Sequence, residues 1–345
     1  NEQLLHQWQT ARSKYDPWRN LFHIEMPFGL INDPNGLSFF NNEYQIFYQW
    51  NPFSCEHKYK HWGYVHTADF INYSIPKIVL APTDYFDKTG CYSGSGYVKD
   101  NKLKFIYTGN VKDENDIRSS YQIMAEKGSD DTLKKQKIII AGHPENYTSH
   151  FRDPFIFKRN GRSYIIIGAQ RRSHTGCVVI YHETPDDTWE FFCELKTAYP
   201  QFGYMWECPN MLSIDGTDIL LFCPQGLKQL GHKYSNIYQS GYIAGKLNDK
   251  VNIFKHGEFT ELDNGFDFYA PQAFTNANRT ILIGWAGLPE LEADYPTSKN
   301  GWLHSLTLPR QLNYKNDHLY QTPIIELEKL RQASFKYNGK ADNFV

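Results

Sequence analysis

The chain has 345 residues, of which 21% are charged, and its formal net charge at pH 7 is −2. A chain of this length can bury one large core or two ordinary ones. The near-neutral balance excludes the basic footprint of proteins that bind nucleic acid or anionic membranes, and no apolar run is long enough to cross a bilayer. We therefore expect neither a nucleic-acid partner nor a membrane partner.

The cysteine spacing and the first residues bear on the cellular compartment in which the protein works. The six cysteines are widely spaced and form no C-x-x-C pair: Cys55, Cys91, Cys177, Cys193, Cys208 and Cys223. Such spacing is typical of free thiols in a reducing environment. The first residues lack the basic and apolar pattern of a secretory signal, although a chain that begins at Asn1 leaves a removed leader open. We predict a cytoplasmic protein.

One hairpin pattern recurs five times along the chain. Its first copy begins at Ile31-Asn32-Asp33-Pro34, continues as a short apolar strand, turns at Asn41-Asn42 and returns as a second strand. The copies follow one another at intervals of roughly 54 to 62 residues. Their head residues are Asp33, Ser93, Asp153, Glu207 and Tyr269.

Further strand-like runs between the hairpins leave room for about four strands in each unit, while helical periodicity is scarce. We predict an all-β fold, a five-bladed β-propeller over residues 21–305, preceded by an approach segment at 1–20. Residues 306–345 change character and are predicted to begin a further unit. Within them we expect strands at 306–310 and 319–323 and a short helix at 325–330.

The propeller prediction brings three carboxylates together. The first strand of each blade lines the central axis, and the strand starts gather at one end of it. Asp33, Asp153 and Glu207 head three of the five predicted inner strands in one repeat register, so we expect them to meet in one funnel. One acidic residue before a proline commonly only caps a turn, whereas three in register favour a shared chemical site.

Converging carboxylates suit general acid–base and nucleophilic chemistry or a hard metal ion. Glycoside hydrolysis needs one ionised carboxylate and one protonated carboxyl. The apolar sequence neighbours of Glu207 and a nearby carboxylate are expected to raise its pKa, as a general acid requires. The donor-rich surroundings of Asp33 should keep it ionised, and Arg152 should do the same for Asp153.

The motifs NDPNG at 32–36, RDP at 152–154 and EC at 207–208 resemble the three signature blocks of glycoside hydrolase family 32, the β-fructofuranosidases. Further matching blocks are FYQWNP (47–52), HWG (61–63), YSGS (92–95), GFDFYAPQ (265–272) and GWAGLPE (284–290). The last two, with PQG (224–226) and LPR (308–310), are most similar to the bacterial members that act on sucrose 6-phosphate. The resemblance covers about residues 20–330.

This resemblance implies a five-bladed propeller, a retaining mechanism and release of fructose from a β-fructofuranoside. Asp33 would be the nucleophile that forms a fructosyl-enzyme intermediate, Glu207 the acid and base, and Asp153 the residue that holds fructose hydroxyls and stabilises the transition state. Retention would place the carboxyls of Asp33 and Glu207 ~5 to 5.5 Å apart. The residues matching the fructose pocket of the family are Asn32, Gln49, Trp62, Tyr92, Ser93, Arg152 and Trp285.

The family usually carries a C-terminal β-sandwich, so we expect residues 306–345 to be a linker and the beginning of one. A 6-phosphate on the leaving glucose would need Arg, Lys or backbone donors at the funnel mouth. Candidates on the loops after the third and fourth hairpins are Arg171, Arg172, Lys228, His232 and Lys233. Solvated surface charge is the alternative interpretation of each of them.

We expect no cofactor and no metal, because His57 and His61 lie in a polar loop without a further ligand cluster. Two alternatives stay open. The substrate could be sucrose or a fructan, as for an invertase or a fructan hydrolase of the same family. The chain could also be a catalytically silent propeller that binds carbohydrate or protein, although the acidic residue at all three heads favours the enzyme.

Overall fold

The computed structural model describes residues 10, 16–290, 292–333, 336 and 338–339. Its strands form five largely antiparallel sheets. Three short 3-10 helices accompany them: Glu292–Asp294, Pro296–Asn300 and Ile325–Leu330. Within the described residues no helix is long and apolar enough to span a membrane.

Each of the first three blades is built on four strands that follow one another in the chain. The first contains β1 (Gly29–Phe40), β2 (Glu43–Asn51), β3 (His61–Thr67) and β4 (Lys77–Leu80). The second contains β5 (Gly90–Lys99), β6 (Lys102–Lys112), β7 (Arg118–Lys127) and β8 (Leu133–Ala141). The third contains β9 (Tyr147–Arg159), β10 (Arg162–Arg171), β11 (Gly176–Glu183) and β12 (Trp189–Glu194).

The last two sheets are less regular. The fourth contains β13 (Met205–Ile214), β14 (Thr217–Gln225), β15 (Gly241–Leu247), β16 (Phe254–His256) and β17 (Thr260–Glu261). The strands after it are β18 (Tyr269–Asn276), β19 (Arg279–Ala286), β20 (Trp302–Leu303), β21 (Ser305–Leu306), β22 (Arg310–Lys315) and β23 (His318–Pro323). All of these except β20 form the fifth sheet.

The sheets close into a ring. The innermost strands β1, β5, β9 and β13 each pack against the next, and β18 packs against both β13 and β1. Strand β20 leaves the fifth blade and pairs in parallel with β1 of the first. The side chain of Gln272 on β18 accepts the N–H of Leu37 and donates to the carbonyl of Gly94. The five-bladed propeller predicted from the repeats is confirmed.

The fifth blade runs further along the chain than predicted. Strand β22 pairs with β19, as in Leu282 opposite Arg310, and β23 pairs with β22. The propeller therefore continues to Pro323, and the boundary predicted at 305 is wrong, because residues 310–323 are the outer strands of that blade. The short helix expected at 325–330 is a 3-10 helix. A β-sandwich beyond it stays a prediction, because most residues after 333 lie outside the described ones.

Most of the predicted approach segment 1–20 also lies outside the described residues. At its end, Asp16 accepts a hydrogen bond from the indole N–H of Trp302 at 2.9 Å. The guanidinium of Arg19 lies 3.9 Å from the centroid of the same ring. The described end of this segment therefore contacts the strand that closes the ring.

The core lies between neighbouring blades, because each sheet is covered on both faces. Runs such as Ile165–Ile167 and Ile219–Phe222 are continuously apolar and fully buried, as strands with two covered faces require. Between the first two blades the core is aromatic, with Trp62 and Phe47 packed against Phe105.

Each innermost strand carries a β-bulge at the same place, where two consecutive residues oppose one residue of the next strand. The bulged pairs are Asn32–Asp33, Tyr92–Ser93, Asp153–Pro154, Cys208–Pro209 and Ala270–Pro271. In three of the pairs the first residue has a positive φ, of 65° at Asp153, 48° at Cys208 and 46° at Ala270. Bulges next to active sites re-aim side chains, and here they act at one end of the shared axis.

The bulges correct one expectation. Asp33 and Asp153 lie within bulged pairs, whereas Glu207 stands directly before one. The three acids therefore do not share one repeat register, as the sequence suggested. The residues equivalent to Glu207 on the neighbouring inner strands are Arg152 and Tyr269.

Candidate active site

A cavity of about 760 Å³ opens at the bulged end of the axis. It brings together Asp33, Asp153 and Glu207 from three different blades. Aromatic side chains, cations and acids from strands and from the surrounding loops form its walls. These are Tyr92, Tyr238, Tyr269, Trp285, His57, Lys60, Arg118, Arg152, Glu56, Glu290 and Glu292.

Both carboxylate oxygens of Asp33 accept hydrogen bonds. Asn32 Nδ2 donates to Oδ1 at 2.9 Å, and the hydroxyl of Ser93 donates to Oδ2. Gln49 joins the two donors, since its Oε1 accepts from Asn32 and its Nε2 donates to Ser93 Oγ. This closed network fixes the orientation of the carboxylate within the cavity.

Lys60 extends this network. Its ammonium donates to Asn32 Oδ1 at 2.5 Å, and its side chain is buried. Burial lowers the pKa of Lys60 to about 7, against the opposing effect of the nearby Asp33 and Glu292 carboxylates. The charge beside Asp33 therefore changes near neutral pH. Sequence reasoning did not select Lys60, because it lies in a loop outside the repeated pattern.

Cys208 lies between two of the carboxylates. Its backbone N–H donates to Asp153 Oδ2 at 3.0 Å. Its sulfur lies 3.7 Å from that oxygen and 3.8 Å from Asp33 Oδ2. Asp33 and Asp153 therefore face a common point.

Glu207 accepts hydrogen bonds from two other blades. Arg152 donates to Oε1 from Nε at 2.9 Å and from Nη2 at 2.6 Å, and Tyr269 donates its hydroxyl to Oε2 at 2.6 Å. Burial acts to raise the pKa of Glu207, but the Arg152 charge and the Tyr269 hydrogen bond outweigh it and hold the pKa below its usual value. The expectation of a raised pKa is therefore wrong for this state of the site.

The raised pKa belongs to Asp153 instead. Burial and the neighbouring charges of Glu207 and Asp33 raise its pKa to about 7, although the Arg152 charge acts in the opposite direction. The expectation that Arg152 would keep Asp153 ionised is therefore wrong, because the guanidinium hydrogen bonds go to Glu207. The surroundings therefore favour the charged form of Glu207 and the protonated form of Asp153.

The arrangement of these groups suits cleavage of an acetal. One carboxylate is fixed by donors, the pKa of a second is lowered by a guanidinium, and the pKa of a third is raised by burial. Carboxyl groups of different proton affinity in one cavity are what glycoside hydrolysis uses. The family description "Glycosyl hydrolases family 32 N-terminal domain" matches residues 23–323. The chain belongs to glycosyl hydrolase family 32. The family membership inferred from the motifs is confirmed.

Curated relatives in family 32 match nearly the whole chain. Sucrose-6-phosphate hydrolase of Bacillus subtilis (strain 168) is 45% identical over 328 residues, covering 93% of this chain and 68% of that protein. The protein of the same name from Staphylococcus xylosus is 40% identical over 338 residues, covering 97% of this chain and 68% of that protein. The chain therefore spans about two thirds of the length of these relatives.

Solved structures of family 32 agree with the fold. Sucrose-6-phosphate hydrolase from Lactobacillus gasseri has a TM-score of 0.89 at 34% identity, covering 96% of this chain and 68% of that chain. A Bombyx mori GH32 β-fructofuranosidase mutant in complex with sucrose has a TM-score of 0.85 at 32% identity, covering 96% of this chain and 71% of that chain.

Most of the predicted sugar-binding residues line the cavity: Asn32, Gln49, Tyr92, Arg152 and Trp285. Ser93 is buried and lies behind Asp33 as its hydrogen-bond donor. Trp62 is the exception, because its side chain is 0% exposed and packs in the core between the first two blades. Its indole N–H donates to the carbonyl of Tyr92 at 3.1 Å, so it supports the wall and does not line it.

None of the predicted phosphate-binding residues lines the cavity: Arg171, Arg172, Lys228, His232 and Lys233. Arg171 is committed to Glu194 through both Nε and Nη2, and Arg172 donates from Nε to the carbonyl of Glu145. The structure thus places these five residues outside the cavity wall, and a phosphate role for any of them stays a prediction. Arg118 at the start of β7 is a cavity cation that the hairpin pattern did not indicate.

In the part of the chain that the structure describes, no group of three or more His, Cys, Asp or Glu side chains is placed to bind an ion, near His57 and His61 or elsewhere. His57 Nε2 lies 2.8 Å from Glu292 Oε1, which joins the loop after β2 to the segment after β19. His61 begins β3, and its Nδ1 lies 2.6 Å from the carbonyl oxygen of Tyr59. The two histidines therefore have separate partners.

Proposed function

We propose that this chain is a retaining β-fructofuranosidase that releases fructose from sucrose 6-phosphate, and more slowly from sucrose, through a covalent fructosyl-enzyme intermediate. The observation that carries the proposal is the carboxylate of Asp33, held on both oxygens in a cavity that also contains Glu207 and Asp153. The names of the relatives support sucrose 6-phosphate as the substrate.

Asp33 is the nucleophile. Its orientation is set by Asn32 and Ser93 before the substrate arrives, so little reorganisation accompanies attack. A carboxylate oxygen bonds to the anomeric carbon of the fructosyl unit, and the bond from that carbon to the glycosidic oxygen breaks. The glucosyl oxygen leaves with a proton from the acid.

Glu207 supplies that proton. Glu207 acts here in its protonated form, because a glycosidic oxygen carries no proton and can only accept one. A bound sugar that excludes water from the cavity opposes the charged form of this buried carboxyl. After the glucosyl product leaves, ionised Glu207 takes a proton from water, which attacks the anomeric carbon and frees Asp33.

Asp153 accepts hydrogen bonds from fructose hydroxyls and, once ionised, stabilises the positive charge of the transition state. Trp285 and Tyr92 line the cavity, where aromatic rings can pack against a sugar. Since a phosphate ester does not cross a bilayer unaided, we propose that the protein acts in the cytoplasm, where sugars are phosphorylated.

The test is a parallel measurement of kcat/KM on sucrose 6-phosphate, sucrose and a short fructan. We expect the phosphorylated sugar to be preferred and the first fructose released to be the β anomer. Asp33→Asn and Glu207→Gln should each lower kcat by at least ~10³-fold while keeping the melting temperature. Activity within tenfold of the wild type in either variant would refute the assigned roles, and a preference for fructan would refute the substrate.

A further inference from the structure

Arg118 is a cavity cation without an acidic partner. The other cations in the cavity wall are committed: Lys60 to Asn32, Arg152 to Glu207, and His57 to Glu292. Across the described residues, Arg118 takes part in no salt bridge, and its guanidinium lies 5.7 Å from the centroid of the Tyr92 ring. A half-buried guanidinium in a cavity wall has donors available for a ligand.

Arg118 and the proposed acid line the same cavity. Arg152, which holds Glu207, also donates from Nη1 to His150 Nδ1 at 3.1 Å. Arg118 is close enough to His150 that its charge, after burial and the charge of Arg152, helps to lower the pKa of that imidazole to about 4. Arg152 therefore contacts both Glu207 and His150, and the charge of Arg118 acts on the same His150. The glycosidic oxygen of the leaving glucosyl group lies at Glu207 in the proposed mechanism. The other end of that group can therefore extend toward the part of the wall that contains Arg118.

The opposite wall is acidic. Glu290 and Glu292 line the cavity on the segment after β19, where Tyr238 donates to Glu290 at 2.6 Å and His57 pairs with Glu292. An anionic ligand is attracted by Arg118 and repelled by those carboxylates. Arg118 is the cavity cation left for a phosphate group, since Lys60, Arg152 and His57 have partners.

We propose that Arg118 binds the 6-phosphate of the leaving glucosyl group and determines the preference for phosphorylated over unphosphorylated substrate. The inference rests on the proposed function, which it deepens. A guanidinium donates two parallel hydrogen bonds to phosphate oxygens, and the ring of Tyr92 limits its conformations before binding. The residue does not contact the reacting atoms, so its effect belongs to recognition of the leaving group.

The experiment compares Arg118→Gln, Arg118→Lys and the matched control Arg172→Gln, whose side chain lies outside the cavity. For Arg118→Gln, the loss of kcat/KM on sucrose 6-phosphate should exceed the loss on sucrose by at least ~10-fold, because a charge-assisted contact is removed. Arg118→Lys should recover part of the difference. Arg172→Gln should keep the wild-type ratio. Equal losses on both substrates for Arg118→Gln, or the same change of ratio in the control, would overturn the inference.

Binding of glucose 6-phosphate, measured by calorimetry, separates this inference from the proposed function. The wild type should bind it at least ~10-fold more tightly than Arg118→Gln does, whether or not fructose is released. Equal affinity in the two proteins would refute the role of Arg118. A wild type that binds glucose 6-phosphate through Arg118 but releases no fructose would refute the proposed function alone.

Discussion

Arg152 donates from Nε and Nη2 to a single oxygen of Glu207, at 2.9 and 2.6 Å. The two residues stand at equivalent places on neighbouring inner strands, each directly before a bulge. This contact holds the pKa of Glu207 below its usual value, while the adjacent Asp153 titrates at about 7. The guanidinium therefore decides which member of the carboxyl pair carries the proton.

Replacing Arg152 should move the pH profile of catalysis. In Arg152→Gln the opposing charge is lost, so the pKa of Glu207 rises and the acid stays protonated to higher pH. We expect the alkaline limb of kcat/KM to shift upward by about 1 unit, with an overall loss of about 100-fold. A profile of kcat/KM against pH checks this. A limb that stays in place, or moves to lower pH, would contradict the role of the contact.

Asp153 should make the folded protein less stable as pH rises. Its pKa is about 7 in the folded state against an ordinary aspartate value of 3.8, so between these values the folded state binds more protons than the unfolded state. The contribution of Asp153 to the free energy of unfolding therefore falls across this window, and above pH 7 the full cost of the buried charge remains.

Asp153→Asn removes that charge and still offers an oxygen to the N–H of Cys208. At pH 8 we expect the variant to be more stable by on the order of 2 kcal/mol, with fructose release abolished. At pH 4 the two proteins should differ little. Denaturant unfolding at both pH values is the measurement, and a wild type more stable than the variant at pH 8 would contradict the raised pKa.

Lys60 should act on catalysis through Asn32. In Lys60→Met the side-chain amide oxygen of Asn32 loses the Lys60 donor. The Asn32 amide is then less firmly oriented for its hydrogen bond to Asp33. We expect kcat to fall by about 10-fold or more with little change in KM. Lys58→Met is the matched control, since Lys58 is exposed and pairs only loosely with Glu56, at 3.4 Å. Equal kcat values in the two variants would exclude a positioning role.

Two tryptophans should respond differently to the same substitution. Trp62→Phe removes a buried hydrogen bond to Tyr92 and core volume, so we expect a loss of about 1 to 3 kcal/mol of stability and a KM close to that of the wild type. Trp285→Phe changes the cavity wall and should raise KM. Thermal unfolding and steady-state kinetics distinguish the two. A raised KM in Trp62→Phe would instead support the direct contact between Trp62 and the sugar that the resemblance implied.

The repeated hairpins predicted the ring and brought together residues from distant parts of the chain, because blade geometry follows from strand patterning. Electrostatic contacts were not predictable in the same way. Arg152 precedes Asp153 in sequence, yet its guanidinium reaches Glu207 on the next blade, and only the bulges reveal that pairing. Arg118 escaped notice because an outer strand reaches the cavity only after the blades are assembled.

The placement of the phosphate candidates was missed for a related reason. A pair of neighbouring arginines such as Arg171 and Arg172 attracts attention in a sequence, but charge density does not say which partner is near. Glu194 lies on β12 of the same blade, and its carboxylate accepts hydrogen bonds from Nε and Nη2 of Arg171. This ion pair is a structural reason for an arginine at position 171. The boundary at 305 was misplaced because the segment between β19 and β22 is long and irregular. The strand expected at 319–323 was therefore assigned to a further unit and not to the fifth blade.

The pairing of β20 with β1 has a consequence for biosynthesis. Asp33 is translated well before Gln272, which bridges the inner strands, and before the partner strand at Trp302–Leu303. The nascent chain must therefore keep its first blade exposed at one edge until Leu303 has been made. Chaperone contact during translation should concentrate on that edge, and the enzyme should become active in one step when the ring shuts.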